Sequence, residues 1–113
     1  MRDEKAEYSC DAALAIELLQ GKWRIEILCV MRSGPTRLGQ LKRQIPSASK
    51  KVLTENLRKL ESAGLIVRTD LSGNIRHVEY DLSEPGRTQT YQLLDHLSEW
   101  GAFQERTRAK EIR

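Results

Sequence analysis

A mainly α-helical fold carrying one short β-hairpin is predicted by three features of the sequence. Leu53, Leu57 and Leu60 recur at helical spacing between Ser49, a good N-cap, and Gly64, which suits the left-handed residue that ends a helix. A shorter stretch with Leu38, Leu41 and Ile45 on one face precedes it, separated by a turn at Pro46, because proline disfavours helix at the residue before it. After Gly64 the period changes to two. Residues 65–71 are β-branched and apolar-rich, residues 76–82 put Val78, Tyr80 and Leu82 on one face, and Ser72-Gly73-Asn74 between them has turn chemistry. Two short helices across a tight turn, followed at once by a hairpin, is the order of a winged helix-turn-helix.

Each element has its own reason. Residues 1–9 are charged and weakly patterned, and are expected to be mobile or to order only against a partner. Asp11 to Leu19 is nearly all apolar and predicts a first helix ending near Gly21. Residues 22–32 predict a second, with Trp23, Ile27, Leu28 and Met31 on its buried side and Cys29 as a small core residue, stopped by Ser33-Gly34-Pro35. Thr36 is expected to cap the third helix, which turns Arg37, Lys42 and Arg43 outward. Ser83 is expected to cap a long last helix that tolerates Pro85 in its first turn, with Tyr91, Leu94, Leu97 and Trp100 along one side and Phe103 beyond Gly101.

Composition sets the class. A chain of 113 residues, 39% apolar and 31% charged, is one soluble domain, and no run approaches the roughly 18 apolar residues of a membrane span. No apolar stretch follows Met1-Arg2-Asp3-Glu4-Lys5, so no secretory signal is expected and a cytoplasmic location follows. The net charge of +3 is unevenly spread. Residues 22–68 hold eleven bases against three acids, a local charge of +8, while the rest of the chain carries −5. A basic centre between acidic ends points to a polyanionic partner for the middle of the chain. Cys10 and Cys29 are too few for a disulfide framework and match no zinc spacing.

These residues in this order resemble the HxlR-type family of bacterial winged helix-turn-helix transcription regulators. The resemblance is carried by Gly21-Lys22-Trp23, Ile45-Pro46, Lys51-Val52-Leu53-Thr54 with Leu57-Arg58, Leu60-Glu61, Gly64-Leu65, Val78-Glu79-Tyr80 with Leu82-Ser83 and Gly86, and Trp100-Gly101. It spans residues 10–101 of a single domain covering 1–113, with 1–9 and 102–113 as flanking tails. Three positions depart from the family pattern: Asp11 follows Cys10 where a proline is common, Leu38 stands where Phe is usual, and the wing tip reads Asn74-Ile75-Arg76-His77 in place of Pro-Pro-Arg. The resemblance implies a homodimer that binds operator DNA and regulates transcription. It also implies, for some members, sensing of oxidants or electrophiles through a cysteine near the N-terminus.

On the residues themselves, Lys51, Thr54 and Arg58 are placed to enter the major groove, with Glu55 able to accept from a cytosine amino group. Lys22, Arg37, Ser49 and Lys50 lie at helix starts or on loops, where phosphate contact is expected, and Arg76 and His77 lie on the wing. Leu14, Leu18, Tyr91, Leu94, Leu97 and Trp100 are the expected dimer seam, pairing the terminal helices across a two-fold. Cys10, at the start of the first helix, is the candidate redox sensor. Its helix N-terminus favours a thiolate, and the adjacent Asp11 opposes one. The inducer, whether a small molecule or an electrophile, is not readable from the residues.

Other readings were weighed against this one. Trp23 and Trp100 lie on apolar helical faces, which core packing explains better than base stacking. His77 and Glu79 lack further convergent ligands, so no metal is expected, nor any other cofactor. No Gly-x-Ser-x-Gly or Gly-Lys-Ser/Thr motif supports an enzyme. A winged helix used only for protein interaction would need neither the basic centre nor the cationic outward face of the Ser49 helix. The expectation is a homodimeric repressor on a palindromic operator.

Overall fold

The computed structural model describes residues 10–112, so the expectation for residues 1–9 lies outside the described residues. The elements run α1 (Asp11–Leu19), α2 (Arg24–Met31), α3 (Leu38–Gln44), α4 (Lys50–Ser62), β1 (Ile66–Asp70), β2 (Val78–Leu82) and α5 (Arg87–Ile112). Among the described residues no helix is long and apolar enough to cross a membrane.

The core forms where the apolar stripes of α2, α3 and α4 meet the base of the hairpin. Ile27, Leu28, Met31, Leu41, Leu53, Leu57, Leu60, Ile66 and Leu82 are all essentially inaccessible to solvent. Each such side chain stabilises the fold by roughly 1.5–3 kcal/mol through burial. Ile45 and Ala48 fill the space under the turn between α3 and α4. Lys42 holds that turn from outside, donating from Nζ to the carbonyls of Pro46 and Ala48, both at 2.9 Å. A basic side chain expected to face solvent thus staples the helix-turn-helix.

Both ends of α4 are built as the sequence indicates. The Ser49 hydroxyl accepts from the Val52 N–H at 3.1 Å. At the other end Gly64 has φ +81°, and two hydrogen bonds close the helix, Leu65 N–H to Leu60 O at 3.0 Å and Gly64 N–H to Glu61 O at 2.9 Å. This paired pattern requires the left-handed conformation, which glycine adopts without a Cβ penalty.

The hairpin is antiparallel, with Ile66 opposite Leu82 and Asp70 opposite Val78. Thr36 departs from its expected role as a helix cap. It exchanges both backbone hydrogen bonds with Tyr80 at 2.8 Å, forming a one-residue third strand, and is buried. The cap position of α3 falls to Arg37, whose N–H donates to Gln40 Oε1 at 3.2 Å. Ser83 departs as well. Its hydroxyl donates to Gly64 O at 2.8 Å and its N–H to Leu65 O at 3.0 Å, so it ties β2 to the end of α4 while α5 begins at Arg87.

Helix α5 continues through Gly101 for 26 residues, about 39 Å at 1.5 Å per residue. It makes the molecule elongated, with a radius of gyration of 16.3 Å against about 13 Å for a compact chain of this length. Its first turns are fastened to the core. Arg87 reaches Asp81 with both terminal nitrogens at 3.2 and 3.0 Å, Glu84 at 2.6 Å and Leu82 O at 2.8 Å. Further along, Tyr91 donates to Arg32 O at 3.3 Å, Arg32 lies over the Tyr91 ring, and Arg32 Nη1 meets Asp95 Oδ1 at 2.7 Å. The hydrogen bond from Arg32 holds the Asp95 carboxyl below its ordinary value. A carboxylate lowered in this way contributes stability above its unfolded pKa, about 3.9, and loses it as pH falls through its folded value. The stability difference between wild type and Asp95→Asn should therefore be present at pH 7 and close below about pH 4 in urea titrations, and should shrink with salt.

Candidate nucleic-acid interface

Burying Leu53, Leu57 and Leu60 against α3 and β1 leaves the opposite side of α4 outside. Lys50, Lys51, Glu55 and Arg58 are exposed there and Thr54 is half-buried. Lys51, Thr54, Glu55 and Arg58 are the residues that the sequence assigns to the major groove, and Lys50 is one that it assigns to phosphate. Ser49 uses its oxygen in the cap and keeps its O–H as a donor.

The wing stands beside this helix. A cleft of about 270 Å³ separates them, lined by Thr54, Arg58 and Glu61 of α4 and by Arg68, Arg76 and Tyr80 of the wing. Three guanidinium groups thus face one carboxylate across a groove between a free helix face and a hairpin. Arg76 is positioned through its backbone, because Arg37 Nη2 donates to Arg76 O at 3.2 Å and joins the start of α3 to the wing. Arg37 and Arg43 also line a second groove along α3 with Gly39 and Gln40. The wing loop is held at its base, where Asp70 Oδ1 accepts from Ser72 N–H and the Ser72 hydroxyl accepts from His77 N–H, both at 2.9 Å. Hydrogen bonding with the Ser72 side chain, and then with its backbone, lowers the Asp70 carboxyl below its ordinary value.

Arg68 is the residue the sequence reading missed. It sits two positions after buried Ile66 on β1, opposite Tyr80, so the strand period turns it to the α4 side. That alternation was the available signal. Two expected contacts are engaged within the chain. Lys22 Nζ lies 4.9 Å from the centre of the Trp23 ring, a cation–π geometry. His77 Nε2 is 2.8 Å from Glu79 Oε2, at the base of the wing loop.

The expected dimer seam divides. Leu18 and Trp100 are exposed, while Leu14, Tyr91 and Leu97 are half-buried. Leu94 needs correction: it is only 1% exposed and packs into the protomer core, so it has no free area for a partner. Ile16 and Phe103 are exposed large apolar residues on the same two helices. Cys10 is exposed at the N-cap of α1, where its carbonyl accepts from Ala13 N–H at 3.1 Å. Cys29 is also exposed, contrary to its expected place in the core, because it lies on the side of α2 away from Ile27 and Leu28. Partial burial still raises its thiol pKa, opposed by nearby Arg32.

The family model for HxlR-like helix-turn-helix proteins matches residues 18–109. The uncharacterized HTH-type transcriptional regulator YtcD of Bacillus subtilis is 40% identical over 99 residues, which cover 88% of this chain and 78% of that protein. The redox regulator HypR in its reduced form superposes with a TM-score of 0.81 at 28% identity, covering 89% of this chain and 99% of that one. Reduced YodB from B. subtilis, also solved diamide-treated and quinone-bound, gives a TM-score of 0.72 at 29% identity, covering 82% and 91%.

Proposed function

The chain belongs to the HxlR-like helix-turn-helix family of DNA-binding transcription regulators, which are not enzymes, and from that premise we propose that it is a cytoplasmic homodimeric repressor that occludes a palindromic operator. The observation that carries this reading is the set of cations formed by Lys50, Lys51 and Arg58 on the free face of α4 and by Arg58, Arg68 and Arg76 around the cleft beside the wing. Lys51, Thr54, Glu55 and Arg58 read base edges, while Arg37, Ser49, Lys50, Arg68 and Arg76 hold phosphates. The exposed apolar residues Ile16 and Leu18 on α1 and Trp100 and Phe103 on α5 support pairing across a two-fold. Such a dimer sets its two α4 helices roughly 34 Å apart, one turn of duplex.

Sedimentation at micromolar concentration should give twice the chain mass of 13.0 kDa, and footprinting around its own gene should protect two half-sites about one turn apart. A monomer, or a dimer retained on no duplex at low salt, overturns the reading; the second result would identify a protein-interaction module.

The inducer belongs to the same proposal. Cys10 is exposed on the helix assigned to the dimer seam, and the likeness to HypR and YodB supports a thiol-linked response. Diamide or a quinone should weaken operator binding by wild type and leave Cys10→Ser unaffected. Equal binding by both after treatment makes Cys10 structural.

A further inference from the structure

We propose that the cleft between α1 and the C-terminal half of α4 binds a small organic anion with an apolar body. The cleft has a volume of about 390 Å³ and mainly apolar walls. It is lined by Glu17 and Leu18 of α1, Arg24 at the start of α2, and Arg58, Lys59 and Ala63 at the end of α4. The cleft is shallow and open to solvent, and its volume suits a one-ring or medium-chain carboxylate lying along it.

The chemistry of the walls selects the ligand class. Three cations face one carboxylate, and Glu17 already accepts from Gln20 Nε2 at 3.3 Å. Arg24 is held in place by donating from Nη1 to Leu18 O at 3.0 Å, while its Nε is buried without a hydrogen-bond partner. Gly21 adopts φ +125° beside it, a conformation that favours glycine, and a Cβ there would crowd Nε at 3.2 Å. The single bond to Leu18 O leaves further N–H groups of the guanidinium fork for an anion to accept from. An inorganic anion would leave Ala63 and the aliphatic stems of Arg58 and Lys59 without a partner, whereas a neutral apolar ligand would leave the cationic wall unmatched. An amphipathic anion satisfies both.

The cleft also touches the DNA-reading surface. Arg58 lines it and lines the groove beside the wing, and one guanidinium cannot serve both anions fully. Occupancy should therefore weaken DNA binding, and DNA should weaken ligand binding by the same factor. This coupling rests on the DNA reading proposed above; the binding does not.

The test uses the full-length protein labelled with ¹⁵N and titrated separately with sodium benzoate, sodium decanoate and inorganic phosphate to 10 mM. Benzoate or decanoate should give saturable amide shifts around residues 17–24 and 58–63, and Arg24→Gln should weaken that binding at least tenfold. Lys59→Gln provides the same comparison should Arg24→Gln fail to fold, and there a threefold or larger loss is expected. At a saturating dose the operator affinity of wild type should fall at least fivefold, with that of Arg24→Gln unchanged. No saturable shift with either carboxylate, equal binding by wild type and both variants, or phosphate binding as tight as benzoate overturns the proposal. Shifts that follow protein concentration and not added anion would identify a second copy as the occupant, which also overturns it. Saturable shifts in a protein that binds no duplex would support the cleft and overturn the DNA reading alone.

Discussion

Leu57→Ala should destabilise the protein by about 2–5 kcal/mol, measured as a lowered urea midpoint with an unchanged slope. Leu57 is 1% exposed at the middle of the inward stripe of α4, between Leu53 and Leu60, which are equally buried. The helix carries exposed Lys51, Glu55 and Arg58 on the opposite side, so the way they face depends on this stripe. Removing the isobutyl group loses its burial and leaves a cavity that fixed neighbours cannot close. Leu57→Met retains most of the volume and should cost less than about 1.5 kcal/mol. A loss for the alanine variant as small as that for methionine would mean that α4 is not seated as described.

Much of the architecture was legible because its signals are local. Ser49, the three leucines and Gly64 lie within one helix, and their roles follow from helical spacing and from hydrogen bonds between residues a few positions apart. The period change after Gly64 marked the hairpin for the same reason. Thr36, Ser83 and Leu94 depart because their partners are distant in sequence. Thr36 has the side chain of a helix cap, but Tyr80, 44 residues later, supplies the backbone partners that make it a strand. Ser83 was read the same way, and the end of α4 claimed its hydroxyl instead. Leu94 and Trp100 share an apolar pattern on α5, and only the position of the core separates the buried one from the one 64% exposed.

The candidate site shows the same division. Lys51, Thr54, Glu55 and Arg58 were legible because one helix sets which way they face. The cleft that joins Arg58 to Arg68 and Arg76 exists only because β1 and β2 fold back beside α4. Charge asymmetry points to the middle of the chain without resolving which cations line the cleft. Lys42 and Lys22 count toward that charge, yet one staples a turn and the other lies against an indole ring.

Lys51→Ala and Arg58→Ala should each weaken operator binding by about 1–3 kcal/mol, roughly a 5- to 150-fold rise in Kd, and relax specificity at the base pair each one reads. Both side chains are exposed on the free face of α4, and neither has a hydrogen-bonding partner within the described residues that would have to be broken first. Arg68→Ala should act differently. Arg68 lines the cleft beside α4 from β1, and in the phosphate-holding role proposed for it its loss should weaken all sequences alike and reduce the salt dependence by about one counterion. Across the whole surface, a protein making 6–10 phosphate contacts loses about 10³–10⁵ in affinity between 50 and 200 mM salt. Two cationic surfaces of this size in a dimer should fall in that range. Glu105→Ala is the control, since Glu105 lies far along α5 and is exposed there beside Arg108. Its substitution should leave both affinity and salt slope unchanged. Silence of Lys51→Ala and Arg58→Ala, with binding intact and salt-sensitive, would move the reading face from α4 to the Arg37–Arg43 groove of α3.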